Sequence, residues 1–404
     1  MSTAVVTGLG VLAANGNGVE EYWEAALRGE SGIGLLTRFD PTAYPARLAA
    51  EVKDFMPKDR LPSRLLPQTD HLTRLSLVAA AEAFADAGID PKDMADFTAG
   101  IVTANSGGGF DFGQRELEAL WSKGGAHVSA YQSFAWFYPV NTGQISIRHG
   151  MRGPGSAVVS EQAGGLDAVA KARREIGRGT ALMLAGAIDG ALCPWSWVCM
   201  LRSGRVSTSD DPSRAYLPFQ EAADGYVPGE GGALLVLEDE AAATARGVSE
   251  IYGRVAGYAA TFDPRPGSPL EPGLGRAIEL ALDDAGLRPD EIDVVFADAA
   301  GIPELDRIEA TTLATMFGPR GVPVTAPKTM TGRLLAGGAA LDVATALLSM
   351  RDSVIPPTVH CEDSAYRDGI DLVTAPRQTP VRSALVIARG YGGFNSAMVL
   401  RHCR

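Results

Sequence analysis

Short apolar runs that alternate with helix-like stretches are the feature that most constrains the fold of this chain. Because β and α elements that alternate in this way form a mostly parallel sheet covered by helices, the pattern predicts an α/β fold. The series occurs twice, within residues 1–245 and within 250–404, and a charged, alanine-rich joint lies between the halves. The predicted strands are residues 4–11, 98–104, 157–160, 181–186, 233–238, 251–260, 293–299, 384–388 and 396–401, and the predicted helices are residues 73–87, 164–175, 275–285 and 337–350.

The composition excludes several classes of protein. With 404 residues, 46% of them hydrophobic and 21% charged, the chain is typical of soluble globular proteins. A net charge of −12 argues against nucleic acid or an anionic membrane as the main partner, and no membrane span is predicted. The four cysteines lack CxxC spacing and the five histidines are scattered, so we predict no metal and a cytoplasmic location.

Two glycine-rich segments invite a functional interpretation. Residues 8–13, GLGVLA, mimic a dinucleotide-binding fingerprint, but the turn residues 14–18 that follow cannot start a helix at the phosphates. A nucleotide-dependent oxidoreductase is therefore disfavoured. The second segment contains Glu230, just before an apolar strand. Its carboxylate either accepts backbone N–H groups in a structured turn or lines a site, and the sequence leaves both open.

Gln162 lies where a run of small apolar residues ends and a helix-like stretch begins. Many enzymes place a nucleophile at such a junction, because the helix N-terminus lowers the pKa of a thiol and holds an oxyanion. Glutamine has no proton to lose and is not nucleophilic. The junction is therefore either an ordinary strand-to-helix turn or a nucleophile site without its nucleophile.

Several segments, taken in order, resemble the β-ketoacyl synthase family over essentially the whole chain. They are SAVVSEQAGGLDA at residues 156–168, GYVPGEGGALLVLE at 225–238, APKTMTG at 326–332 and GGFNS at 392–396. The resemblance implies a thiolase-type fold, in which duplicated βαβαβ halves form a layered αβαβα architecture. This expectation agrees with the two series of elements, and it makes the halves 1–245 and 250–404 parts of one compact unit.

The residues that carry the chemistry of this family are replaced here. Active members use a Cys that takes the acyl chain and two His that drive decarboxylation of a malonyl carrier protein. At the matching positions the chain has Gln162, Ala300 and Arg333, whereas the family's Lys is kept as Lys328. Ala offers no side-chain hydrogen bond and Arg cannot act as a base at neutral pH. We therefore expect no autonomous catalysis.

This pattern resembles the chain length factor, or ketosynthase β subunit, of type II polyketide synthases. The resemblance implies a heterodimer with a ketosynthase α subunit, an acyl carrier protein that docks mainly on that partner, a growing poly-β-keto chain and no bound cofactor. A loading-type malonyl-carrier-protein decarboxylase, which also has Gln for Cys, is the enzyme alternative. Such enzymes keep their histidines, however. A scaffold without influence on chain length is the other alternative.

The residues expected to bound the polyketide tunnel lie in the helical stretch that follows residue 109. Helical spacing places Phe110, Gly113, Leu117 and Leu120 on one face. In the resembled subfamily, bulkier residues at the matching positions accompany shorter products, so we predict a product longer than an octaketide. The alternative is that Gly113 only begins a helix or admits another backbone.

A strongly aromatic segment is expected at the subunit interface. Its members Phe134, Trp136, Phe137 and Tyr138 are too apolar for an exposed loop, so they are either buried or covered by the partner. Gln162 is assigned to the same boundary, where its amide could bond to the partner or to a polyketide carbonyl. The alternative is that Gln162 fills the vacated pocket.

Overall fold

The computed structural model describes residues 3–265 and 267–403. The first half of the chain contains strands β1 (Ala4–Ala13), β2 (Gly16–Asn17), β3 (Ile33–Leu35), β4 (Leu48–Ala50), β5 (Ala99–Ala104), β6 (Gly155–Val158), β7 (Leu182–Asp189) and β8 (Gly231–Asp239). Its helices are α1 (Val19–Arg28), α2 (Pro57–Arg60), α3 (His71–Asp86), α4 (Phe110–Lys123), α5 (Gln132–Ala135), α6 (Val140–His149), α7 (Gly164–Gly177), α8 (Pro194–Arg202) and α9 (Glu240–Ala245).

The second half repeats the alternation. Its strands are β9 (Gly253–Phe262), β10 (Val294–Phe296), β11 (Pro323–Thr325), β12 (Val354–Ile355), β13 (Asp371–Leu372), β14 (Arg377–Gln378), β15 (Ser383–Gly390) and β16 (Phe394–Arg401). Its helices are α10 (Leu274–Ala285), α11 (Pro303–Phe317), α12 (Lys328–Thr331) and α13 (Ala336–Asp352). Every strand and helix predicted from the sequence is present, with ends that differ by a few residues.

The order of strands in the main sheet confirms the duplication. Outwards from the centre, the first half runs β1-β8-β7-β5-β6 and the second runs β9-β16-β15-β10-β11. Apart from the two-residue strands β2 and β13, both halves therefore place their first, fifth, fourth, second and third strands of the main sheet in the same order. The halves meet where Val5 and Val6 of β1 pair with Arg254 and Gly253 of β9.

The prediction of a mostly parallel sheet was wrong. Strands pair in parallel only towards the two edges, whereas the central pairs, from β15–β16 across to β7–β8, are antiparallel. An apolar run looks the same whichever way its strand points, so the pattern of residues could not reveal this. In the case of β15 and β16, the tight connection between Gly390 and Phe394 forces the antiparallel arrangement.

Helices α7 and α13 pack against each other between the two halves of the sheet, and this pair forms the central layer. Helices α3 and α6 cover the outer face of the first half, and α10 and α11 cover the second half, which gives the expected αβαβα order. Helix α13 is buried from Ala336 to Met350, as its apolar residues on every face require. Gly165 permits the close approach, because a Cβ there would lie 2.5 Å from the carbonyl oxygen of Ala336.

The glycines of the dinucleotide-like segment have a packing role. A Cβ on Gly8 or Gly10 would overlap with carbonyl oxygens of α3, so these glycines let that helix lie close to β1. Strand β1 continues to Ala13 and the next helix begins only at Val19, which agrees with the rejection of a nucleotide site. Among the described residues, no helix is both long and apolar enough to cross a membrane.

Candidate functional site

Gln162 lies in a single 3-10 turn, Glu161–Ala163, between β6 and the start of α7. Its side chain is completely buried, and neither its Oε1 nor its Nε2 has a hydrogen-bond partner among the described residues. A Cβ on Gly338, in the first turn of α13, would lie 2.5 Å from Nε2. The amide therefore fills the space between the N-terminal turns of α7 and α13. This position favours the pocket-filling alternative, and a contact between Gln162 and a partner stays a prediction.

Arg333 follows α12 and is held by a buried ion pair. Its Nη2 lies 3.0 Å from Oδ1 of Asp298 and donates at 2.8 Å to the carbonyl oxygen of Arg389. Burial is the largest single influence on the pKa of this guanidinium and would lower it. Asp298, together with Tyr216, Glu161 and Tyr226, outweighs burial and holds the pKa well above its usual range. Arg333 is therefore a fixed cation that cannot accept a proton.

Ala300 lies in the loop that follows β10, with its methyl group buried. The backbone of this loop is fixed from several sides. The Glu309 carboxylate accepts the amide hydrogens of Asp298 and Ala299, and the Tyr216 hydroxyl donates to the carbonyl oxygen of Ala299 at 2.8 Å. The loop is therefore ordered in a defined conformation, but the Ala300 side chain offers no group that could stabilise an enolate.

The structure brings the three replaced positions together at the carboxyl ends of β10 and β15. Arg333 bonds to the backbone of Asp298 and Arg389, and the adjacent Gly390 is so close to Ser160, before the Gln162 turn, that a Cβ would lie 2.6 Å from its carbonyl oxygen. The side chains at these positions are thus an amide, a methyl group and an ion-paired guanidinium, and all three are buried. None of them can act as nucleophile or general base.

Further buried charged groups lie close to Ala300 and Arg333. Burial raises the pKa of the Asp306 carboxyl to about 6, and it raises that of Glu309 as well, helped by the neighbouring carboxylates Asp298 and Asp306. Lys328 pairs with Asp342 at 2.7 Å and donates to the carbonyl oxygen of Ala297. These groups hold the loop and helix α12 in place, which gives Lys328 a structural explanation.

Helix α4 carries the four predicted tunnel residues. Leu117 and Leu120 are each 39% exposed, and the ring of Phe110 lies 4.7 Å from that of Trp195. Two tryptophans border Gly113: a Cβ there would lie 3.4 Å from Cβ of Trp136 and 3.7 Å from the Trp195 ring. Sequence reasoning missed Trp195, which reaches α4 from the start of α8.

The aromatic segment is exposed in the isolated chain. Phe134, Trp136, Phe137 and Tyr138 expose between 37% and 45% of their surface, and together they are called the aromatic patch. A groove of about 890 Å³ adjoins the patch and is lined by Phe134, Phe137 and residues of α3 and α6. Apolar surface that is contiguous on this scale usually marks an interaction site. The exposure removes the alternative that this segment is buried in its own chain.

Glu230 has the structural role that the sequence left open. Its carboxylate accepts the amide hydrogen of Val52 at 3.0 Å and pairs with Arg38 and His71. It also lines a small cavity of about 260 Å³ beside α4. No group of three or more His, Cys, Asp or Glu side chains in residues 3–265 and 267–403 is arranged to hold a metal ion.

Comparison with known protein families identifies both halves of the chain. Residues 1–243 match the N-terminal domain of beta-ketoacyl synthases, and residues 252–362 match the C-terminal domain. The chain belongs to the beta-ketoacyl synthase family. The assignment of Gln162, Ala300 and Arg333 to the family's catalytic positions stays a prediction.

Similarity to individual relatives indicates a subgroup within this family. The chain is 60% identical to the actinorhodin polyketide beta-ketoacyl synthase 2 of Streptomyces coelicolor, over 99% of this chain and 98% of the relative. It is 58% identical to the tetracenomycin polyketide synthase ketoacyl synthase beta subunit of Streptomyces glaucescens, over 98% of both. These similarities confirm the resemblance to ketosynthase β subunits, or chain length factors.

Similar solved structures indicate the same family. The ishigamide ketosynthase/chain length factor superposes with a TM-score of 0.91 at 27% identity and covers 100% of both chains. A type II polyketide acyl-carrier protein in complex with its ketosynthase bound to the hexaketide gives a TM-score of 0.88 at 26% identity, again over 100% of both chains.

Proposed function

We propose that this chain is the non-catalytic, chain-length-determining subunit of a heterodimeric type II polyketide synthase. The observation that carries the proposal is the vacated pocket: a condensing-enzyme fold holds Gln162, Ala300 and an ion-paired Arg333 where catalysis needs a thiol and two imidazoles. A ketosynthase α subunit supplies the nucleophile. Condensation then takes place in the partner, and this chain bounds the space that the product can occupy.

The aromatic patch is the surface that the α subunit covers in this proposal. Its four aromatic side chains lie next to α4, so the same partner would also cover Leu117 and Leu120. The carrier protein delivers malonyl groups mainly through the α subunit, since the pocket of this chain has no group that could use them. The growing poly-β-keto chain reaches this subunit only across the interface.

Product length is proposed to be limited by the face of α4 that carries Phe110, Gly113, Leu117 and Leu120. Once the tunnel is full, a further two-carbon unit must displace packed side chains, which costs about 1–3 kcal/mol. Gly113 has no side chain and Leu117 is of middle size, so these two positions add little volume to this face. On that ground we propose a product longer than an octaketide.

Exchange of the β subunit tests the proposal. The chain is co-expressed with a cognate α subunit and a carrier protein, and the polyketides are identified by mass. Replacement of this chain by a relative with bulkier residues at positions 113 and 117 should shorten the product while the α subunit stays the same. An unchanged product from an equally active heterodimer would show that the chain is only a scaffold.

Decarboxylation is the second candidate, because Gln162 stands where loading-type enzymes also have Gln. The purified chain is incubated with malonyl carrier protein, and released CO2 is measured against a blank and against Gln162→Ala. We expect no turnover above the blank. Clear turnover that Gln162→Ala abolishes would establish a decarboxylase.

We also propose that the protein acts in the cytoplasm as one compact unit of residues 1–245 and 250–404. All four cysteines are free of disulfides, which suits a reducing compartment. Packing of α7 from the first half against α13 from the second supports the single unit. Fractionation of producing cells and limited proteolysis between the halves test the two statements.

A further inference from the structure

One buried carboxylate ties the helix that carries the proposed tunnel residues to the rest of the chain. Asp70 is 1% exposed and caps α3, where its Oδ1 accepts the amide hydrogen of Leu72 at 2.9 Å. Its other oxygen, Oδ2, accepts the amide hydrogen of Phe112 in the first turn of α4 at 2.8 Å. A single side chain therefore satisfies the N-terminal turns of two helices and sets their separation.

The two sides of α4 have different surroundings. Phe110, Gly113 and Leu117 share one face, and the successive turns of the helix place Asp111 and Arg115 roughly opposite. Asp111 and Arg115 line the cavity of about 260 Å³, together with Asp70 and Cys193. The first turn of α4 thus lies between the proposed tunnel on one side and free space on the other.

Two other hydrogen bonds join α4 to the rest of the chain. The Gln114 side chain accepts the amide hydrogen of Trp195 at 2.8 Å, and Glu116 accepts that of Ser129. These contacts join the helix to α8 and to the segment before the aromatic patch. Both contacts are made beyond the first turn of α4, whose Phe112 amide is bonded to Asp70.

We propose that Asp70 is a positioning residue for product length, because its carboxylate bonds to the Phe112 amide and lines the cavity beside α4, which fixes the first turn of the helix next to the polyketide tunnel. This inference rests on the proposed function of α4. When a shorter side chain replaces the carboxylate, the first turn loses this bond and gains room on the cavity side, so it can move into the cavity and the tunnel becomes deeper. The expected consequence is a longer product, with no change in the groups that perform the chemistry.

The test separates the two hydrogen bonds of Asp70. In Asp70→Ser, the hydroxyl can still cap α3 at the Leu72 amide but is too short to reach Phe112. The variant is assembled with the α subunit and carrier protein, and products are quantified by mass. We expect the ratio of longer to present product to rise by at least about threefold, equivalent to roughly 0.65 kcal/mol. Hydrogen exchange in α4 should also quicken at Phe112.

Asp239→Ser is the matched control. Asp239 caps α9 through the amide hydrogens of Ala241 and Ala242, but it does not contact α4. This variant likewise replaces a capping carboxylate by a hydroxyl and should leave the product ratio unchanged. If both variants shift the ratio equally, the effect is general loosening and the inference is overturned.

If Asp70→Ser does not fold, a second variant with the opposite expected effect on product length tests the inference. Cys193 lines the same cavity as Asp70 and Asp111, on the side away from the proposed tunnel. Burial raises the pKa of its thiol to about 11, and the two carboxylates add to the rise. Cys193→Met adds volume behind α4, so the ratio of longer to shorter product should fall. A rise or no change in a stable heterodimer would count against the positioning role.

Gly113→Trp distinguishes a failure of the role of Asp70 from a failure of the proposed function of α4. If Gly113→Trp shortens the product while Asp70→Ser and Cys193→Met leave it unaltered, α4 bounds the tunnel and only the role of Asp70 is refuted. If Gly113→Trp has no effect in a stable heterodimer, the proposed function of α4 fails first, and the inference fails with it.

Discussion

Phe137→Ala should weaken the heterodimer by an amount that the structure allows to be calculated. Phe137 exposes 45% of its surface in the isolated chain. An aromatic side chain buries about 200 Å² when it is fully covered, so the partner would remove roughly 90 Å² of this residue from water. At about 25 cal/mol per Å², this area contributes about 2 kcal/mol to association. The dissociation constant should therefore rise about thirtyfold.

The assay is sedimentation or calorimetric titration of separately purified subunits, with the melting temperature of each free chain measured alongside. Phe97→Ala is the control, since Phe97 is 71% exposed but precedes β5, at the end of the strand away from α4. Phe97→Ala should leave the affinity unchanged. If Phe137→Ala binds the α subunit as tightly as the unmodified chain, the aromatic patch is not the interface.

Three other outcomes are expected. Gly113→Ala should leave the product mass unchanged, because a methyl group fits 3.4 Å from Cβ of Trp136, whereas Gly113→Trp overpacks the site by about 1–3 kcal/mol and should shorten the product. Arg333→Met leaves the buried Asp298 carboxylate without its cation, so the free energy of unfolding should fall by about 3–5 kcal/mol in denaturant titrations; an unchanged midpoint would contradict the ion pair. Burial raises the pKa of Asp306 to about 6, so the folded state holds this proton more tightly than the unfolded state, and stability should fall as pH rises from about 4 to 6. Asp306→Asn should make that fall in melting temperature shallower.

Much of the fold could be predicted because its local patterns are strong. Strand β1 and helix α13 are buried along their length, and their uninterrupted apolar residues are visible in the sequence. Among the described helices of nine or more residues, α1, α6, α8 and α11 were missed. Helix α11 is amphipathic only weakly, with Asp306 and Glu309 among its buried residues, so the apolar period that marks a helix is obscured.

The candidate site was predictable only as far as motifs extend. Gln162, Ala300 and Arg333 could be assigned as candidates because each stands in a recognisable segment, and their roles stay predictions. The partner of Arg333 was not assigned, although Asp298 lies in the loop of Ala300, because ion pairs between distant segments leave no local pattern. The bond from Asp70 to Phe112 was missed for the same reason. An acidic residue immediately before a helix signals a cap, but it does not reveal a second helix.

The way in which α4 is seated matters for anyone who transplants segments between such subunits. A graft of α4 alone would transfer Phe110, Gly113 and Leu117 but not the residues that contact the helix. These contacts come from Asp70, Trp136 and Trp195, which belong to three other parts of the chain. The product length of a donor subunit should consequently be transferred only when several segments are grafted together, and not with one helix.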